Sequence, residues 1–277
     1  MGKVLKVAFQ GEIGAYSELA VYKHFGAGAQ PVPCKSFQEV FSNVYSGLVD
    51  YGVLPIENSI EGSVNQVYDL LLTHNLMICG EVVVKLEHCL IGNPNSDLNQ
   101  VKRVYSHPQA LAQCSDFLER LKCEIVPTYD TAGSVKIVKE RGLIEEAAIA
   151  SERAAEIYGM KILARDVSNY QDNYTRFVIM SKNDTPPSGN DKTLIIFSVK
   201  HVPGALYEAL GAFAKRGINL TKIESRPTRK KPWEYIFYLD FEGHRNEQRC
   251  ADALKELQDK ALFVKVLGSF PKAVTPE

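Results

Sequence analysis

A short run of turn-forming residues divides this chain of 277 residues into two parts. Asn183–Asn190 reads NDTPPSGN, and its two prolines cannot continue a helix or the interior of a strand. Because apolar runs typical of strands lie on both sides, we expect a domain at residues 1–182, a linker at 183–190 and a smaller domain at 191–277. With 45% hydrophobic residues, the chain has enough apolar material for two cores.

The larger part alternates strand and helix patterns. Val4–Phe9 and Tyr51–Ile56 are short apolar runs typical of strands, and helical periodicity follows at Ala15–Phe25 and Val64–Leu72. Ser36 with Glu39 three residues later predicts a capping box that opens a further helix, with Phe37, Val40, Phe41 and Val44 on one face. This alternation predicts an α/β domain.

The predicted strands are too many for one small sheet. Further elements follow downstream, with a helix at Pro108–Leu121 among strands at Val101–Tyr105, Glu124–Pro127, Ala148–Ala150 and Ile162–Val167. We expect the apolar stretch Leu76–Ile91 to carry the chain from one lobe to another. The prediction is a first lobe at about 1–79 plus 169–182, a second lobe at about 80–168, and a cleft between them.

The smaller part has a legible order of elements. Its patterns predict the order βαββαβ, which is typical of a ferredoxin-like unit, with elements at Thr193–Val199, Pro203–Arg216, Leu220–Glu224, Glu234–Phe241, Glu247–Lys260 and Leu262–Phe270. Such a unit is a common module for binding small molecules, so its fold does not settle a function.

Charge and cysteine usage exclude several classes of protein. The formal net charge is -1, and residues 191–277 hold 15 Lys+Arg against 11 Asp+Glu, which leaves 17 against 22 in the larger part. This acidic balance disfavours nucleic acid as a partner. The six cysteines are scattered, without metal-ligand spacing, and favour buried free thiols in a reducing cytoplasm over a metal site.

Targeting and cofactor motifs are also missing from the sequence. The first residues carry neither the apolar core of a signal peptide nor a membrane span, so we expect a cytoplasmic protein without membrane attachment. Gly11-Glu-Ile-Gly14 is too short for a dinucleotide fingerprint, and no segment has the spacing of a phosphate loop. We therefore expect no metal and no organic cofactor.

Polar residues stand where predicted strands end and helices begin, the usual position of ligand-binding groups in open α/β sheets. Their backbone N–H groups and side-chain donors would suit a carboxylate. The alternative interpretation is that Asn58, Ser106 and Asp130 are only helix caps or turn formers. The segments are Gln10-Gly11, Glu57-Asn58-Ser59, Ser106-His107-Pro108-Gln109 and Asp130-Thr131-Ala132.

Three longer motifs carry a family resemblance. LPIENSIEGSVNQVYDLL, YSHPQALAQC and Asn173-Tyr174-Thr175-Arg176-Phe177 resemble the prephenate dehydratase family in the same order, and the likeness runs from Val7 to about Phe270. The resemblance implies conversion of prephenate to phenylpyruvate with loss of water and carbon dioxide, in a cleft like that of periplasmic binding proteins. It implies no cofactor.

The resemblance also implies site residues. Thr175 would be the essential catalytic residue, and the family's Thr-Arg-Phe signature maps onto Thr175, Arg176 and Phe177. We expect Thr175 to hydrogen-bond the leaving hydroxyl, Arg176 or helix-start amides to hold carboxylate, Phe177 to pack against the ring, and water or Glu57 to supply the proton. The remaining candidates are Asn58, Ser106 and Gln109 in the catalytic site, and Gln10, Gly11, Ser59, Thr131 and Ala132 for substrate binding.

Several residues of suitable chemistry receive a structural interpretation. Thr175 could be an ordinary strand residue. His88 lies in an apolar run and His107 in a turn before proline, so both are expected to be structural despite the intrinsic pKa of histidine. Tyr16, Tyr68 and Tyr170 are expected to be core or lobe-contact aromatics.

The smaller part resembles an ACT domain, an amino-acid-binding module. The resemblance rests on Gly204-Ala205-Leu206, followed by Tyr207 where some members have valine, and on Glu224-Ser225-Arg226-Pro227. It implies a phenylalanine site between paired ACT domains, which also uses Asn219 and Leu220. A homodimer or homotetramer and inhibition by phenylalanine follow. The alternative is that the glycine ends a turn and Arg226 is a solvated charge.

Two other functions remain open. Arogenate dehydratase performs the same chemistry on the transaminated substrate, and a non-catalytic amino-acid sensor would use the same folds. Because the first predicted strand begins close to Met1, we do not expect the fused chorismate mutase domain of some family members.

Overall fold

The computed structural model describes residues 4–228 and 233–274. Its packing forms two compact units, one of Met1–Val67 with Val82–Phe177 and the other of Tyr68–Glu81 with Val178–Glu277. These units differ from the predicted domains at residues 1–182 and 191–277, and the limits of those domains stay a prediction. The division into units falls inside two strands and one helix.

The described elements alternate along the chain as expected for an α/β protein. The strands are β1 (Lys6–Gln10), β2 (Gln30–Cys34), β3 (Tyr51–Asn58), β4 (Gly62–Ser63), β5 (Met77–Lys85), β6 (Cys89–Gly92), β7 (Arg103–Ser106), β8 (Glu124–Pro127), β9 (Glu146–Ala150), β10 (Lys161–Ala164), β11 (Tyr174–Ser181), β12 (Asp191–Ser198), β13 (Leu220–Pro227), β14 (Tyr235–Glu242) and β15 (Phe263–Pro271). The helices are α1 (Tyr16–Phe25), α2 (Phe37–Ser46), α3 (Asn65–Thr73), α4 (Pro108–Gln113), α5 (Ser115–Leu121), α6 (Thr131–Arg141), α7 (Glu152–Tyr158), α8 (Ala205–Ala214) and α9 (Gln248–Lys260).

Two sheets build the predicted lobes. The first has the order β2-β1-β3-β11-β5, with β4 paired to β3, and the second has the order β10-β6-β9-β7-β8. β1 is parallel to β2 and β3, and β7 is parallel to β8 and β9, as βα units require. The chain passes from the first sheet to the second between Lys85 and Cys89. The two-lobed α/β fold is confirmed, and the crossing lies a few residues later than residue 80.

The third sheet forms the ferredoxin-like unit. Its order is β13-β14-β12-β15, with every pairing antiparallel, and α8 and α9 cover one face. Side chains from both layers share one buried core, among them Ile195, Phe197, Phe213, Leu239, Phe241 and Leu257. The predicted βαββαβ order is confirmed.

Some local predictions were wrong. The helix predicted at Pro108–Leu121 is two helices, because Cys114 leaves helical geometry at φ −117 and ψ 17. β2 was not predicted, since Pro31 and Pro33 argue against a strand; it lies at a sheet edge, where a missing N–H is tolerated. Tyr170 is 60% exposed in the irregular segment before β11, and is therefore no core residue.

The predicted capping box at α2 forms only in part. Ser36 caps the helix by accepting from the Glu39 N–H at 3.2 Å, but the Glu39 carboxylate accepts from the Lys35 N–H at 2.8 Å instead of the Ser36 N–H. The predicted buried face of α2 is confirmed by Val40, Phe41 and Val44, which are fully or almost fully buried.

The cysteines are free thiols, and four of them, Cys34, Cys89, Cys114 and Cys250, are buried. Burial raises the pKa of the Cys114 thiol to about 12, which keeps it protonated and unreactive at neutral pH. Within residues 4–228 and 233–274, no helix combines the length and apolar character needed to cross a bilayer.

Gly268 permits close packing inside the second unit. A Cβ atom at this position would lie 2.0 Å from the carbonyl oxygen of Ile78 in β5. We expect Gly268→Ala to lower the free energy of unfolding by roughly 1–3 kcal/mol through overpacking against backbone. Urea denaturation measures this, with Gly211→Ala as the control, because a Cβ there meets nothing within 4 Å on α8. Equal midpoints for the two variants would contradict the close approach.

Candidate functional site

A cavity of about 460 Å³ opens between the two lobes of the first unit. Its walls combine the ends of β1 and β3 and the start of β11 with the starts of α1, α3, α4 and α6. The first lobe contributes Gln10, Ala15, Tyr16, Ser17, Phe37, Pro55, Asn58, Glu61, Gly62, Ser63, Val64, Asn65, Gln66 and Thr175. The second lobe and the crossing segment contribute Leu86, His88, His107, Gln109, Ala110, Gln113, Tyr129, Asp130 and Thr131.

The structure divides the predicted site residues into two groups. Those that line the cavity are Gln10, Asn58, Gln109, Thr131 and Thr175. Those outside its lining are Gly11, Glu57, Ser59, Ser106, Ala132, Arg176 and Phe177. Direct roles for the second group stay predictions, and the structure gives most of them a supporting position.

Backbone alternation separates Arg176 from Thr175 in the Thr-Arg-Phe motif. At the start of β11, Thr175 faces the cavity, and the next residue, Arg176, points away from it, with its guanidinium 3.6 Å from the Glu57 carboxylate. Phe177 is buried deeper in the lobe. The motif therefore places one hydroxyl at the cavity and a charged pair and an aromatic ring behind it.

The other supporting residues hold the walls together. Ser106 is fully buried and donates its hydroxyl to the Ile149 carbonyl at 2.6 Å. The Ser59 hydroxyl donates to the Asp172 carbonyl and accepts from the Tyr174 N–H, so it ties the end of β3 to the start of β11. Neither hydroxyl is directed at the cavity.

Gly11 is required where the lobes approach each other. Its φ of +116 lies in the region that glycine favours, and a Cβ there would lie 2.7 Å from a carboxylate oxygen of Asp130 in the second lobe. The Asp130 side chain also caps α6 by accepting from the Gly133 N–H at 2.8 Å. Burial raises the pKa of Asp130. The capping interpretation of Asp130 is thus confirmed for a residue that also lines the cavity.

Asn58 connects the turn after β3 to Thr175. Its Oδ1 accepts from the N–H groups of Ile60 and Glu61, at 3.0 and 2.9 Å. Its Nδ2 donates to Thr175 Oγ1 at 2.9 Å and to Asn173 Oδ1 at 2.7 Å. Asn58 is therefore both a turn former and a direct partner of Thr175, so the two interpretations of this residue hold together.

A buried polar chain continues from Asn58 into the second lobe. Asn173 Nδ2 donates to Gln113 Oε1 at 2.9 Å, and the same oxygen lies 3.0 Å from His88 Nε2. His88 Nδ1 lies 3.1 Å from the Tyr16 hydroxyl. Asn173 is fully buried, and His88 is 2% exposed. The chain joins both lobes at the back of the cavity.

Gln113, Asn173 and His88 were given no predicted function. Gln113 follows Gln109 by four residues, so helical spacing places both on one face of α4 and could have identified it. Asn173 is the first residue of the recognised motif Asn173–Phe177. His88 gave no usable signal, because its partners are distant in sequence.

His107 behaves as the turn residue that was predicted, although it lines the cavity. Its Nδ1 accepts from the Gln109 N–H at 3.3 Å and so caps α4. Burial lowers the pKa of His107, which favours the neutral ring that can accept this bond.

Among the described residues, the cavity lining contains no lysine or arginine. Donors near the lining are backbone N–H groups at the starts of helices and amide side chains such as Gln10 and Gln109. At α1 and α6, the carboxylates of Glu18 and Asp130 each already accept one of these N–H groups. Carboxylate binding by helix-start amides or by Arg176 therefore stays a prediction.

The predicted effector segments lie in the second unit. Gly204 has a φ of +81 and precedes α8, and Ala205 and Leu206 begin the helix. Pairing with β14 shifts register between Leu220 and Lys222, so the side-chain alternation of β13 changes there. Leu220 packs under α8 and α9. Exposed residues among the predicted set are Gly204, Asn219, Ser225 and Pro227.

Arg226 is buried rather than solvated. Its guanidinium lies 3.0 Å from the Asp69 carboxylate on α3, and the side chain of Lys222 on the same strand lies over the Tyr68 ring. Lys265 donates to the carbonyls of Leu71, Leu72 and His74 at the end of the same helix. The second half of α3 is therefore held by the sheet that carries the Glu-Ser-Arg-Pro segment.

Comparison with known proteins identifies both parts of the chain. The family described as "Prephenate dehydratase" matches residues 7–185, and the family described as "ACT domain" matches residues 193–259. The chain is 45% identical over 285 residues to the arogenate dehydratase/prephenate dehydratase 2 of Arabidopsis thaliana, with 99% of this chain and 74% of that protein covered.

Two solved structures are similar over nearly the whole chain. A prephenate dehydratase from Arthrobacter aurescens in complex with L-Phe has a TM-score of 0.88 at 34% identity, covering 97% of this chain and 90% of that one. GqqA, a novel type of quorum-quenching acylase, has a TM-score of 0.87 at 38% identity, covering 96% and 97%.

The amide of Asn58 should matter for stability as well as for the site. In Asn58→Leu, the N–H groups of Ile60 and Glu61 and the Asn173 oxygen lose their partner. The Asn173 oxygen is buried, and leaving it unpaired costs roughly 1–3 kcal/mol. We expect a clearly lower midpoint of urea denaturation. Asn99→Leu, at an exposed asparagine, should leave the midpoint nearly unchanged. Similar shifts of the midpoint in both variants would argue against a contribution of the Asn58 hydrogen bonds to stability.

Proposed function

The chain belongs to the prephenate dehydratase family, and we propose that it converts prephenate to phenylpyruvate, water and carbon dioxide in the cavity at Thr175. It is a decarboxylating hydro-lyase of phenylalanine biosynthesis with an ACT domain. The observation that carries the proposed site is the hydrogen bond from Asn58 to Thr175 at the cavity wall.

The direction of that hydrogen bond defines what Thr175 can do. Because the Asn58 oxygen already accepts two N–H groups, its nitrogen must donate, and Thr175 Oγ1 must accept. Among the described residues, none accepts a hydrogen bond from the Thr175 hydroxyl. Its hydrogen can therefore be donated to a ligand in the cavity. A hydroxyl that accepts one hydrogen bond is also a better donor in the next.

The reaction needs this donor at one place. As the bond from the ring to its carboxylate breaks, the electron pair moves into the ring, the C–O bond of the ring hydroxyl breaks, and the departing hydroxide takes a proton to become water. Thr175 would donate to this oxygen as negative charge develops on it. We propose that the proton itself arrives through water, since Glu57 faces Arg176 and lies outside the cavity lining.

Apolar lining suits the loss of carbon dioxide. Ala15, Phe37, Pro55 and Val64 lie on one side of the cavity, and Leu86 and Ala110 lie on the other. A carboxylate held against such surface loses hydration, whereas neutral carbon dioxide does not depend on it. The second carboxylate, on the side chain that is retained, would bind at the helix starts.

Arogenate is the second candidate substrate. It carries an ammonium group where prephenate has a ketone, and the Glu61 carboxylate in the cavity lining offers a partner for such a cation. The Arabidopsis relative is named for both activities. Comparison of the two substrates separates these candidates.

The geometry does not favour the acylase activity named for one structural relative. Cleavage of an amide by a threonine would need a base that takes the hydroxyl proton. The partner of Thr175 is instead an amide nitrogen, which donates and cannot accept a proton. The site is arranged for hydrogen-bond donation by Thr175.

Thr175→Val removes the hydroxyl and keeps the shape of the side chain. We expect it to lower kcat for prephenate by roughly two to four decades, with a small change in KM, because the hydroxyl acts on the departing group. Formation of phenylpyruvate or phenylalanine from prephenate or arogenate, supplied separately, measures this. Thr175→Ser, which retains the hydroxyl, should keep much more activity.

Wild-type protein that forms neither product would contradict the proposed function. Turnover by Thr175→Val at the wild-type rate would instead remove only Thr175 from the mechanism.

We propose that phenylalanine is the effector at the ACT domain, bound near Gly204, Ala205, Leu206, Asn219, Leu220, Glu224, Ser225 and Pro227. The open backbone at the start of α8 suits the carboxylate of an amino acid. Pairing of ACT domains in a homodimer or homotetramer is part of this proposal, as are a cytoplasmic location, independence of cofactors, and functional domains at 1–182 and 191–277.

We propose a different role for Arg226 within this segment. Its pairing with Asp69 fixes α3, whose first residues Asn65 and Gln66 line the cavity. Arg226 would therefore link the effector-binding sheet to the helix that shapes the substrate site.

Asp69→Asn tests this link without changing any effector segment. The amide keeps the size of the carboxylate but removes the charge that pairs with Arg226. We expect phenylalanine still to bind, with its inhibition of turnover weakened several-fold, as expected when a coupling free energy of about 1–3 kcal/mol is reduced. Calorimetry and inhibition curves measure the two quantities. Asp252→Asn, on the exposed side of α9, is the matched control. Unchanged inhibition in Asp69→Asn would contradict the proposed link.

A further inference from the structure

His88 belongs to no predicted site, yet it ends the polar chain that begins at Thr175. Its Nε2 lies 3.0 Å from Gln113 Oε1, and its ring meets the Tyr16 ring edge to face. Buried imidazoles that only fill a core do not need a directed chain of amides. The chemistry of each donor and acceptor along this chain determines what His88 contributes.

The direction of every bond follows from the Asn58 end. The Asn58 amide must donate through its nitrogen, so the Asn173 oxygen accepts from it. The Asn173 nitrogen is then left to donate to Gln113 Oε1. The Gln113 oxygen is thus an acceptor, and His88 Nε2, which faces the same oxygen, must carry a hydrogen.

The two donors at Gln113 Oε1 hold its amide in one orientation. With its oxygen held by Asn173 and His88, its nitrogen points toward the cavity wall, 3.5 Å from the Glu61 carboxylate. A flipped amide would place its NH2 group against two donors, and this would cost both hydrogen bonds. Asn173 and His88 together therefore determine that the cavity meets a donor at Gln113 and not an acceptor.

We propose that His88 is a positioning residue that acts through Gln113: its Nε2–H locks the amide so that the Gln113 NH2 group is presented to a carboxylate or carbonyl oxygen of the substrate. The proposal deepens the proposed function and rests on it. It assigns His88 no proton transfer to the substrate.

Tyr16 completes the arrangement at the other ring nitrogen. The Tyr16 hydroxyl donates to the Glu87 carbonyl at 2.7 Å and lies 3.1 Å from His88 Nδ1. When the ring is neutral with Nε2–H, both of these atoms are acceptors for the one Tyr16 hydrogen, and if Nδ1 becomes protonated it donates to the Tyr16 oxygen instead. The Nε2–H is present in both states. Burial lowers the pKa of His88 and favours the neutral form.

Two variants separate positioning from simple packing. His88→Leu fills the space but cannot donate, and we expect kcat/KM for prephenate to fall by roughly 10- to 100-fold, mainly through KM, because a misplaced substrate contact costs on this order. His88→Gln retains an N–H near the position of Nε2, so it should recover most of that loss. His24→Leu, at an exposed histidine, is the control and should behave as wild type.

The ring tautomer gives a readout that does not depend on activity. In the full-length protein with 15N-labelled histidine, two-bond 1H–15N spectra should assign the hydrogen of neutral His88 to Nε2, and Tyr16→Phe should leave it there. A hydrogen on Nδ1 in the wild type would overturn the proposal even if the Leu variant does not fold.

Kinetics give a second way to overturn the proposal. Wild-type kinetics in a folded His88→Leu, or equal losses in the Leu and Gln variants, would refute positioning by His88. Absence of turnover by wild-type protein would instead contradict the proposed function and leave the tautomer result to stand alone.

Discussion

The side-chain amide of Asn58 is the contact on which the site depends. It joins the turn after β3 to the segment before β11 and to the hydroxyl of Thr175. The turn is more than a hundred residues away in sequence from the other two. Since an amide has one accepting end and one donating end, satisfying the turn forces the other end toward Thr175. Fold and proposed chemistry are linked here, because the same amide that closes the turn makes the Thr175 hydroxyl an acceptor toward Asn58 and leaves its hydrogen for another partner.

The absence of cationic side chains from the described cavity lining has a physical consequence. An arginine or lysine paired with the departing carboxylate would stabilise it before the reaction and lose that interaction when neutral carbon dioxide forms, so strong ground-state binding of this group would oppose its loss. Helix-start N–H groups can hold the retained carboxylate, while the apolar wall near Phe37 and Leu86 offers little to the one that departs. Arg176 instead pairs with Glu57 behind the wall, so its charge is largely neutralised.

Much of the fold followed from the sequence because its signals are local. Periodicity placed the strands and helices of the ferredoxin-like unit, and the apolar run at Leu76–Ile91 marked the crossing between sheets. β2 and the break at Cys114 escaped because edge position and tertiary packing override local preference. The site was partly predictable for the same reason. Strand ends gave Gln10, Asn58 and Thr131, whereas His88 and Asn173 act through partners that only the folded chain brings near.

Helix α3 shows how one short element can serve two purposes. Its first turn lies at the cavity, and its later residues are fixed by Arg226, Tyr238 and Lys265, with the Tyr238 hydroxyl donating to the Tyr68 carbonyl at 2.8 Å. The proposed link through Arg226 depends on this continuity, because one helix carries both sets of residues. The polar chain from Asn58 to His88 lies on other elements, so the direction of the Thr175 hydroxyl does not depend on the contacts of α3.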